Sequence, residues 1–274
     1  MRALLVALPL GLASAACNAG GLGDPPRRGP DAPAALADAP ADRTEAPAWT
    51  ADAPEPEPRP GMVWIPPGVL LAGTPPDRLP RVADEEMAGE QVVMRGFYVD
   101  VFPYPDEAGA IPTTNLSHSE AKDLCEAQGK RLCTELELER ACKGPANLTY
   151  EYGDAYKPSV CGTGIARSLI PNGYNSACQS AFGVHDLHGG VWAWTASQWK
   201  RDALTTGETS KPPPQTSKAG LFTIRGGNGA PGELLARCAN GRGVKAEARR
   251  EDVGTRCCAG ERKRKRKGHK EPAY

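Results

Sequence analysis

Cysteines are the residues of this 274-residue chain whose type and spacing point most directly to chemistry. Cys17 stands alone near the start, and the other eight are Cys125, Cys133, Cys142, Cys161, Cys178, Cys238, Cys257 and Cys258. None of the spacings is Cys-x-x-Cys, and the first three of the eight are too far apart for a zinc knuckle. An even set in an exported chain indicates disulfides, but eight cysteines allow about a hundred pairings. The spacing therefore predicts disulfides without choosing the pairs.

Histidine is the second candidate metal ligand, and the chain has four: His118, His185, His188 and His269. His185 and His188 are three positions apart, which would place both side chains on one face of a helix. No third ligand accompanies them in the sequence. We therefore interpret this segment as an exposed turn and predict no metal site there.

The composition excludes several classes of protein. The 33 basic side chains balance 33 acidic ones, so the chain has no general basic field and nucleic acid is not an expected partner. The 31 Gly and 27 Pro disfavour helix interiors and argue against a helical bundle or a coiled coil. Residues 62–65 and 96–100 have the composition of short strands. The sequence predicts a loop-rich fold with many turns.

The first residues resemble a bacterial export signal. Met1-Arg2 is a short basic start, and residues 3–12 are an apolar run too short to span a bilayer. Ala13-Ser-Ala-Ala16 supplies the small residues of a cleavage site. Cys17 follows at once, where bacterial lipoproteins carry the cysteine that receives diacylglycerol, although Ser14 stands where leucine is usual. We predict cleavage before Cys17 and lipidation of its side chain; secretion without a lipid is the alternative.

The chain divides into four predicted parts: a signal peptide over 1–16, a lipid-anchored stalk over 17–60, a folded domain over 61–260 and a basic tail over 261–274. Residues 18–60 contain 10 Pro and 11 Ala, a composition that forms no core and favours an extended, disordered spacer. The tail carries seven Lys or Arg against two Glu, and such like charges repel one another. We expect this tail to be solvated and to have no binding role. The alternative is that it binds anionic lipid or polysaccharide by charge attraction.

Two helices are predicted to position cysteines within the domain. Ser117-His-Ser-Glu120 and Thr134-Glu-Leu-Glu137 have capping-box spacing, in which the two polar side chains satisfy free amides of the first turn. Helical periodicity then places Cys125 on the buried face of the first helix and Cys142 on that of the second. Bridges from these positions would attach both helices to the rest of a loop-rich body.

These segments occur in an order that resembles the formylglycine-generating enzyme (sulfatase-modifying factor) family. The matching motifs run collinearly over about 62–258: Met62-Val-Trp-Ile-Pro-Pro-Gly68, Phe97-Tyr-Val-Asp100, Gly129-Lys-Arg-Leu-Cys-Thr-Glu135, Glu139-Arg-Ala-Cys-Lys-Gly144, Tyr152-Gly-Asp154, Phe182-Gly-Val-His-Asp186, Gly189-Gly-Val-Trp-Ala-Trp-Thr195, Arg225-Gly-Gly227, Arg237-Cys238 and Val253-Gly-Thr-Arg-Cys257. Each motif alone is weak, but the ordered set is specific. The resemblance implies a single α+β domain, loop-rich and disulfide-stapled, that is a variant of the C-type-lectin-like fold.

The resemblance also implies disulfide pairs. Members of the family commonly join the first helix to the closing segment, here Cys125 to Cys257. They also join the end of the second helix to the Arg-Cys segment, here Cys142 to Cys238. Elimination leaves Cys161–Cys178 and Cys133–Cys258 for the other four cysteines, and the pairing of these four stays open.

Catalytic members of the family imply copper chemistry: two thiolates bind Cu(I), which activates oxygen to convert a substrate cysteine into formylglycine. Those thiols belong between the Arg-Gly-Gly and Arg-Cys segments, here 228–236, which contains no cysteine. Two oxygen ligands of a family calcium site are replaced by Gly190 and Ala193. A further branch holds non-haem iron with a His-rich motif on a separate helical domain, which these four histidines do not supply. The sequence thus predicts no catalytic residue, no metal site and no cofactor, copper and calcium included.

We therefore predict an exported envelope lipoprotein whose domain is non-catalytic and binds or scaffolds at the cell surface. The segments 201–219 and 228–236 would form its recognition surface, by analogy with other lectin-like folds, and its partner would be an envelope protein or a glycan. One alternative is an oxidoreductase that acts on thiols through a divergent site, which needs a free thiol such as Cys133 or Cys258. Another is an envelope factor that binds anionic polymers through 262–270.

Overall fold

The computed structural model describes residues 56–164, 169–199, 220–227 and 232–260, and all structural statements below concern these residues. The strands are β1 (Met62–Ile65), β2 (Gly68–Gly73), β3 (Ala88–Met94), β4 (Phe97–Asp100), β5 (Arg131–Leu132), β6 (Trp192–Gln198), β7 (Leu221–Gly226), β8 (Gly241–Lys245), β9 (Val253–Thr255) and β10 (Cys257–Gly260). The helices are α1 (His118–Ala127), α2 (Glu135–Lys143), α3 (Pro158–Cys161) and α4 (Gly232–Leu235). The predicted α+β, loop-rich class is confirmed.

The strands form three small sheets. Their orders are β1-β4-β10-β5, β2-β3 and β8-β7-β6-β9. All pairings are antiparallel except β6 with β9, where Trp192 lies opposite Val253. Both strands that the sequence predicts, near 62–65 and 96–100, pair with each other in the first sheet. The last strand, β10, therefore closes a sheet that begins about 200 residues earlier in the chain.

Both long helices begin at the predicted capping boxes. The Ser117 hydroxyl accepts a hydrogen bond from the Glu120 amide, and the Glu120 carboxylate accepts one from the Ser117 amide at 2.9 Å. Thr134 and Glu137 repeat the arrangement at the start of α2. Each box satisfies two amides that the first turn leaves without intrahelical acceptors. The sequence signal for these helix starts is therefore confirmed.

Two apolar clusters form the core. One contains α1, β6 and β9, with Trp194 fully enclosed and its indole Nε1 donating to the Leu116 carbonyl at 2.8 Å. The other joins α2 to the first two sheets through side chains such as Ile65, Leu70 and Leu138. Since neither helix is long enough to be stable alone, burial against these sheets holds both in place.

Four disulfides cross this core. The bonded pairs are Cys125–Cys257, Cys133–Cys258, Cys142–Cys238 and Cys161–Cys178, with sequence separations of 132, 125, 96 and 17 residues. These are the same pairs that the family resemblance and the remaining cysteines indicated. Cys257 and Cys258 on β10 thus connect to α1 and to the residue after β5. The disulfide-stapled architecture expected from the sequence is confirmed.

The start of the described chain also contacts the domain. The Tyr98 hydroxyl donates to the Glu57 carbonyl at 2.5 Å, and Arg59 Nη2 donates to the Gly260 carbonyl at 3.1 Å. These contacts begin before residue 61, where the sequence predicts the domain to start. The predicted signal peptide, Cys17, most of the stalk, the 201–219 loop and the basic tail lie outside the described residues.

Removing a disulfide should lower the free energy of unfolding by an amount that depends on the length of the loop that the disulfide closes. Replacing Cys125 and Cys257 by Ala together should lower the free energy of unfolding by about 5 kcal/mol, since the bond closes a long loop in the unfolded chain. The Cys161→Ala/Cys178→Ala variant should lose only about 3 kcal/mol, because its loop is much shorter. Urea unfolding without reductant measures both. Equal losses in the two variants would contradict the chain-entropy explanation.

Candidate functional site

The candidate site lies where β7 ends, because the family resemblance places the reactive thiols just after it. Arg225 and Gly226 are the last two residues of the strand, and α4 follows a short gap in the described chain. The printed sequence has no cysteine anywhere in 228–236. The nearest sulfur, that of Cys238, is bonded to Cys142. The residues present therefore do not fit a copper site built from two thiolates.

The other cysteines of the domain offer no replacement thiol. All eight are bonded in pairs, Cys133 and Cys258 to each other. The alternative function, an oxidoreductase that acts on thiols, requires one of these cysteines to be free as a nucleophile. That condition is not met in the described part of the chain, and Cys17 lies outside it.

Arg225 organises the floor of the site. Its Nη2 donates to Glu135 at 3.0 Å and to Glu139 at 2.9 Å, while its Nη1 donates to the carbonyls of residues 238–240. Burial lowers the pKa of Arg225, but the two carboxylates outweigh this and the pKa is raised above its ordinary value. The guanidinium thus stays charged and ties α2 to the Arg-Cys segment.

Glu139 is fully enclosed and has three partners. Lys143 Nζ lies 2.8 Å from one carboxylate oxygen, and the Gly73 amide donates to the same oxygen at 2.6 Å. Burial raises the pKa of Glu139, but the charges of Lys143 and Arg225 outweigh burial, so its pKa falls below the ordinary range. The charge of Arg225 is therefore balanced by a carboxylate that stays ionised.

A small cavity of about 20 Å³ lies beside Arg225, large enough for about one water molecule. Its walls include His188, Asp186, Arg256 and the Cys142–Cys238 bridge. Arg225 Nε and His188 Nε2 are buried and have no hydrogen-bond partner among the described residues. A cavity of this size has room for one water molecule and none for a substrate.

The turn that carries His185 and His188 is buried, so the expectation of an exposed turn is wrong for its inner half. His188 is only 4% exposed, while His185 is half-buried and packs on the Phe102 ring with centroids 5.2 Å apart. The Glu151 carboxylate accepts hydrogen bonds from the amides of Leu187 and His188. Since the carboxylate is itself buried, it holds the turn inside the domain. This contact is long-range and leaves no periodic signal in the sequence.

Arg256 holds the same turn from the other side. Its guanidinium donates to four backbone carbonyls, those of Asp100, Val101, His185 and Asp186. Burial lowers the pKa of Arg256 and raises that of Asp186. The closing motif before Cys257 therefore positions a turn about 70 residues earlier. In the sequence this motif indicated only the family resemblance, and it gave no sign that Arg256 would hold the turn.

Within the described ranges, one group of metal-type side chains comes together. It consists of Glu151, Cys161 and Cys178, whose potential ligand atoms lie within 4.8 Å of one another. The two sulfurs are joined to each other, so they are not available as thiolates. His188 Nδ1 is 3.7 Å from the carboxylate, and its contact with Glu151 is part of the structural network. With its two sulfurs joined in a disulfide, this group contributes to the packing of the domain.

The positions of the expected calcium ligands carry no oxygen side chain. Ala193 lies on β6 with its Cα opposite Arg225, and a side chain added at Gly190 would meet no atom within 4 Å. Trp192 and Trp194 between and beside them are buried. The local packing of the family motif is thus present without the two oxygen donors, and the residues do not fit the family's calcium site.

Three tyrosines lie close together, and one of them, Tyr150, contacts α4. The Tyr150 and Tyr152 rings stack with centroids 5.7 Å apart, and Tyr156 lies 5.6 Å from Tyr150. The Tyr150 hydroxyl donates to the Glu233 carbonyl in α4, and burial raises its pKa to about 12. Tyr152 and Tyr156 are half-buried. We call these three rings the aromatic shelf; through Tyr150 it contacts α4, which lies in the described part of the 228–236 segment that the sequence assigned to recognition.

Comparison with known proteins identifies the family to which the chain belongs. A family model described as the sulfatase-modifying factor enzyme 1-like domain matches residues 102–260, more than half of the chain. The chain belongs to this family. It is therefore a sulfatase-modifying factor-like protein whose 228–236 segment contains no cysteine.

Two curated relatives match about a third of this sulfatase-modifying factor-like chain. The Bos taurus protein named inactive C-alpha-formylglycine-generating enzyme 2 is 31% identical over 103 residues, 32% of this chain and 34% of its own length. Hercynine oxygenase of Mycolicibacterium smegmatis is 33% identical over 95 residues, 32% of this chain and 22% of its own length. The chain thus covers about a third or less of these relatives.

Solved structures support the same fold. PvdO from Pseudomonas aeruginosa matches with a TM-score of 0.58 and 20% identity, over 73% of this chain and 94% of that one. Treponema denticola variable protein 1 matches with a TM-score of 0.52 and 15% identity, over the same shares of both chains. At these identities the likeness concerns the fold alone.

The Arg225 contacts predict a large stability effect. Arg225→Met keeps much of the side chain but leaves the buried Glu139 without one cationic partner, so the free energy of unfolding should fall by about 3–5 kcal/mol. Arg250→Met is the matched control, since its partner Asp252 lies at the surface, and should change stability by less than about 1 kcal/mol. Urea unfolding of both variants measures the difference. Similar losses would show that Arg225 is not a principal contact.

Proposed function

We propose that this protein is an exported, membrane-anchored lipoprotein whose sulfatase-modifying factor-like domain is non-catalytic and binds or scaffolds at the cell envelope. One observation carries the proposal: every cysteine of the domain is bonded, and none lies in 228–236. A domain without the thiol pair retains the scaffold of the enzymes but not the donors for their Cu(I) chemistry. The relative named as an inactive enzyme supports the same reading.

Export is supported by the disulfides. Four disulfides in one domain are typical of proteins in an oxidising compartment, because a cytosolic chain would keep its thiols reduced. The described residues include no helix with the length and apolar character needed to cross a membrane. Attachment through the lipid of Cys17 would place the domain at a membrane surface at the end of the Pro/Ala-rich stalk.

Binding is supported by the aromatic shelf and the loops near it. Tyr152 and Tyr156 are half-buried next to Tyr150, whose hydroxyl contacts α4, and tyrosine rings contribute contact area together with a polar group. The partner of such a surface would be an envelope protein or a glycan. The segments 201–219 and 228–236 would complete the recognition surface.

The domain should bind no copper through thiolates. Full-length protein mixed anaerobically with one equivalent of Cu(I) and a chromogenic competitor should leave the metal with the competitor, because its sulfurs are bonded. A formylglycine-generating member with its thiol pair is the positive control. Tight stoichiometric Cu(I) binding, or conversion of a cysteine peptide to an aldehyde, would overturn the non-catalytic assignment.

Anchoring should depend on Cys17. Protein expressed with its own leader should partition into detergent and show the added mass of a lipid, and Cys17→Ser should remove both properties. Gly20→Ser, three residues further on, is the matched control and should stay anchored. Intact-mass analysis of the detergent phase measures the lipid. A wild-type chain that remains in the aqueous phase without added mass would contradict the lipoprotein assignment.

A further inference from the structure

The Cys161–Cys178 bridge has a carboxylate oxygen in contact with both of its sulfurs. Glu151 Oε1 lies 3.0 Å from Cys161 Sγ and 3.1 Å from Cys178 Sγ. The three residues are buried, with at most 2% of any of them exposed. Because a disulfide sulfur carries no hydrogen, neither contact is a hydrogen bond while the bridge is intact. If the sulfurs were thiols, the same three atoms would be three potential metal ligands.

His188 adds a nitrogen to this cluster. Its Nδ1 lies 3.7 Å from Glu151 Oε1, and its backbone amide donates to that oxygen at 3.0 Å. Two sulfurs, one oxygen and one nitrogen thus meet inside the domain. Cysteine thiolates, histidine nitrogens and carboxylate oxygens are the protein ligands of Zn²⁺, which takes four of them in a structural site.

The other three bridges lack such a set. Within the described ranges, Glu151, Cys161 and Cys178 are the group in which three metal-type side chains come together. Polar neighbours of the other sulfurs are His188 Nδ1 at 3.8 Å from Cys142, the Thr255 hydroxyl at 3.9 Å from Cys125 and the Arg256 carbonyl at 3.5 Å from Cys133. None of these neighbours is a carboxylate, so the ligand set belongs to one bridge.

The distances suit a tetrahedral zinc site once the sulfur–sulfur bond is open. Around Zn²⁺ with ligands at about 2.0–2.3 Å, neighbouring ligand atoms lie about 3.3–3.8 Å apart. The two oxygen–sulfur distances and the oxygen–nitrogen distance are 3.0, 3.1 and 3.7 Å. The one large adjustment is the separation of the two sulfurs, because the metal takes the place of the bond between them. The site therefore needs no separate cavity.

The charge of the cluster also fits a divalent cation. Two thiolates and an ionised carboxylate carry three negative charges, which are costly to bury without a cation. Zn²⁺ balances two of them. Burial lowers the pKa of Arg256, and the carboxylate of Glu151 is among the charges that raise it, so this buried cation would offset part of the remaining charge.

We propose that the thiol form of Cys161 and Cys178, together with Glu151 and His188, is a zinc site. Binding of one Zn²⁺ displaces one proton from each thiol and changes no oxidation state. Every chain has the thiol form before its cysteines are oxidised, and the ion binds as that chain folds, so it needs no path into a finished core.

Zinc and the disulfide are then alternative links between the same two cysteines, 17 positions apart. A disulfide oxidant takes two electrons from the zinc-bound thiolates and closes the Cys161–Cys178 bond. Zn²⁺ is released, and the oxidant leaves as two thiols after taking up two protons. The copper and lipid measurements do not involve the thiol form, so this inference stands apart from the proposed function.

Oxidative refolding of the full-length chain provides the test. The Cys17→Ser chain, which has only the eight thiols of the domain, is unfolded, reduced and refolded in a glutathione redox buffer at a series of free Zn²⁺ concentrations. At about 1 µM free Zn²⁺, about 100 times a Kd on the order of 10 nM, the ratio of thiol to disulfide at Cys161 and Cys178 should rise about 100-fold, because only the thiol form binds the ion. Alkylation and peptide mapping measure the ratio at each cysteine. Four bonds formed regardless of zinc, or zinc held by other cysteines, would overturn the proposal.

Two further measurements identify the ligands. Glu151→Gln keeps an oxygen for the amides of the turn but is a neutral, weaker ligand, so the zinc effect at Cys161 and Cys178 should fall at least about 10-fold. Glu107→Gln, at an exposed glutamate outside the cluster, is the matched control and should leave it unchanged. With Glu151 intact, Co²⁺ in place of zinc should show thiolate charge-transfer bands and the intense visible bands of tetrahedral coordination. An unchanged zinc effect in Glu151→Gln, or the weak visible bands of octahedral Co²⁺, would show that these side chains do not form the site.

Discussion

The guanidinium of Arg225 connects α2 to a segment about 100 residues later in the chain. It bonds two carboxylates of α2 and three carbonyls at the start of the segment that leads to β8. Such a cation is stable inside a protein only if its charge is balanced. Glu139 helps to balance it, and Lys143 and the Gly73 amide in turn hold the other carboxylate oxygen of Glu139. The network therefore couples α2, β2 and β7 in one buried unit.

The disulfides add a second level of connection around that unit. Three of them span 96 residues or more, and two leave from neighbouring positions on β10. They restrict the unfolded chain, while the ionic network selects the folded arrangement. This division explains how a loop-rich domain with short helices and strands has a defined core. It also explains the lack of a free thiol among the described residues, since their eight cysteines serve as cross-links.

The site after β7 keeps packing features of the family motifs without the cysteines that the resemblance places in 228–236. The buried tryptophans, the Arg-Gly-Gly strand end and the closing Arg256 occupy their positions, and all of them contribute to packing. The positions that differ from the family motifs are those whose side chains would hold a metal. Changing those side chains therefore removes little of the packing of the core. The aromatic shelf contacts α4, the helix that follows this site in the chain.

The sequence by itself determined the local and the ordered features of this protein. The capping boxes at Ser117 and Thr134 depend on residues three apart, and the collinear motifs identify the fold, so both could be predicted. Tertiary structure decided the burial of His188 and the balance of charge around Arg225. These depend on which distant carboxylate approaches each group: Glu151 binds the histidine turn, and Glu135 and Glu139 reach Arg225. Short-range periodicity carries no information about such approaches, because they depend on how separate elements pack.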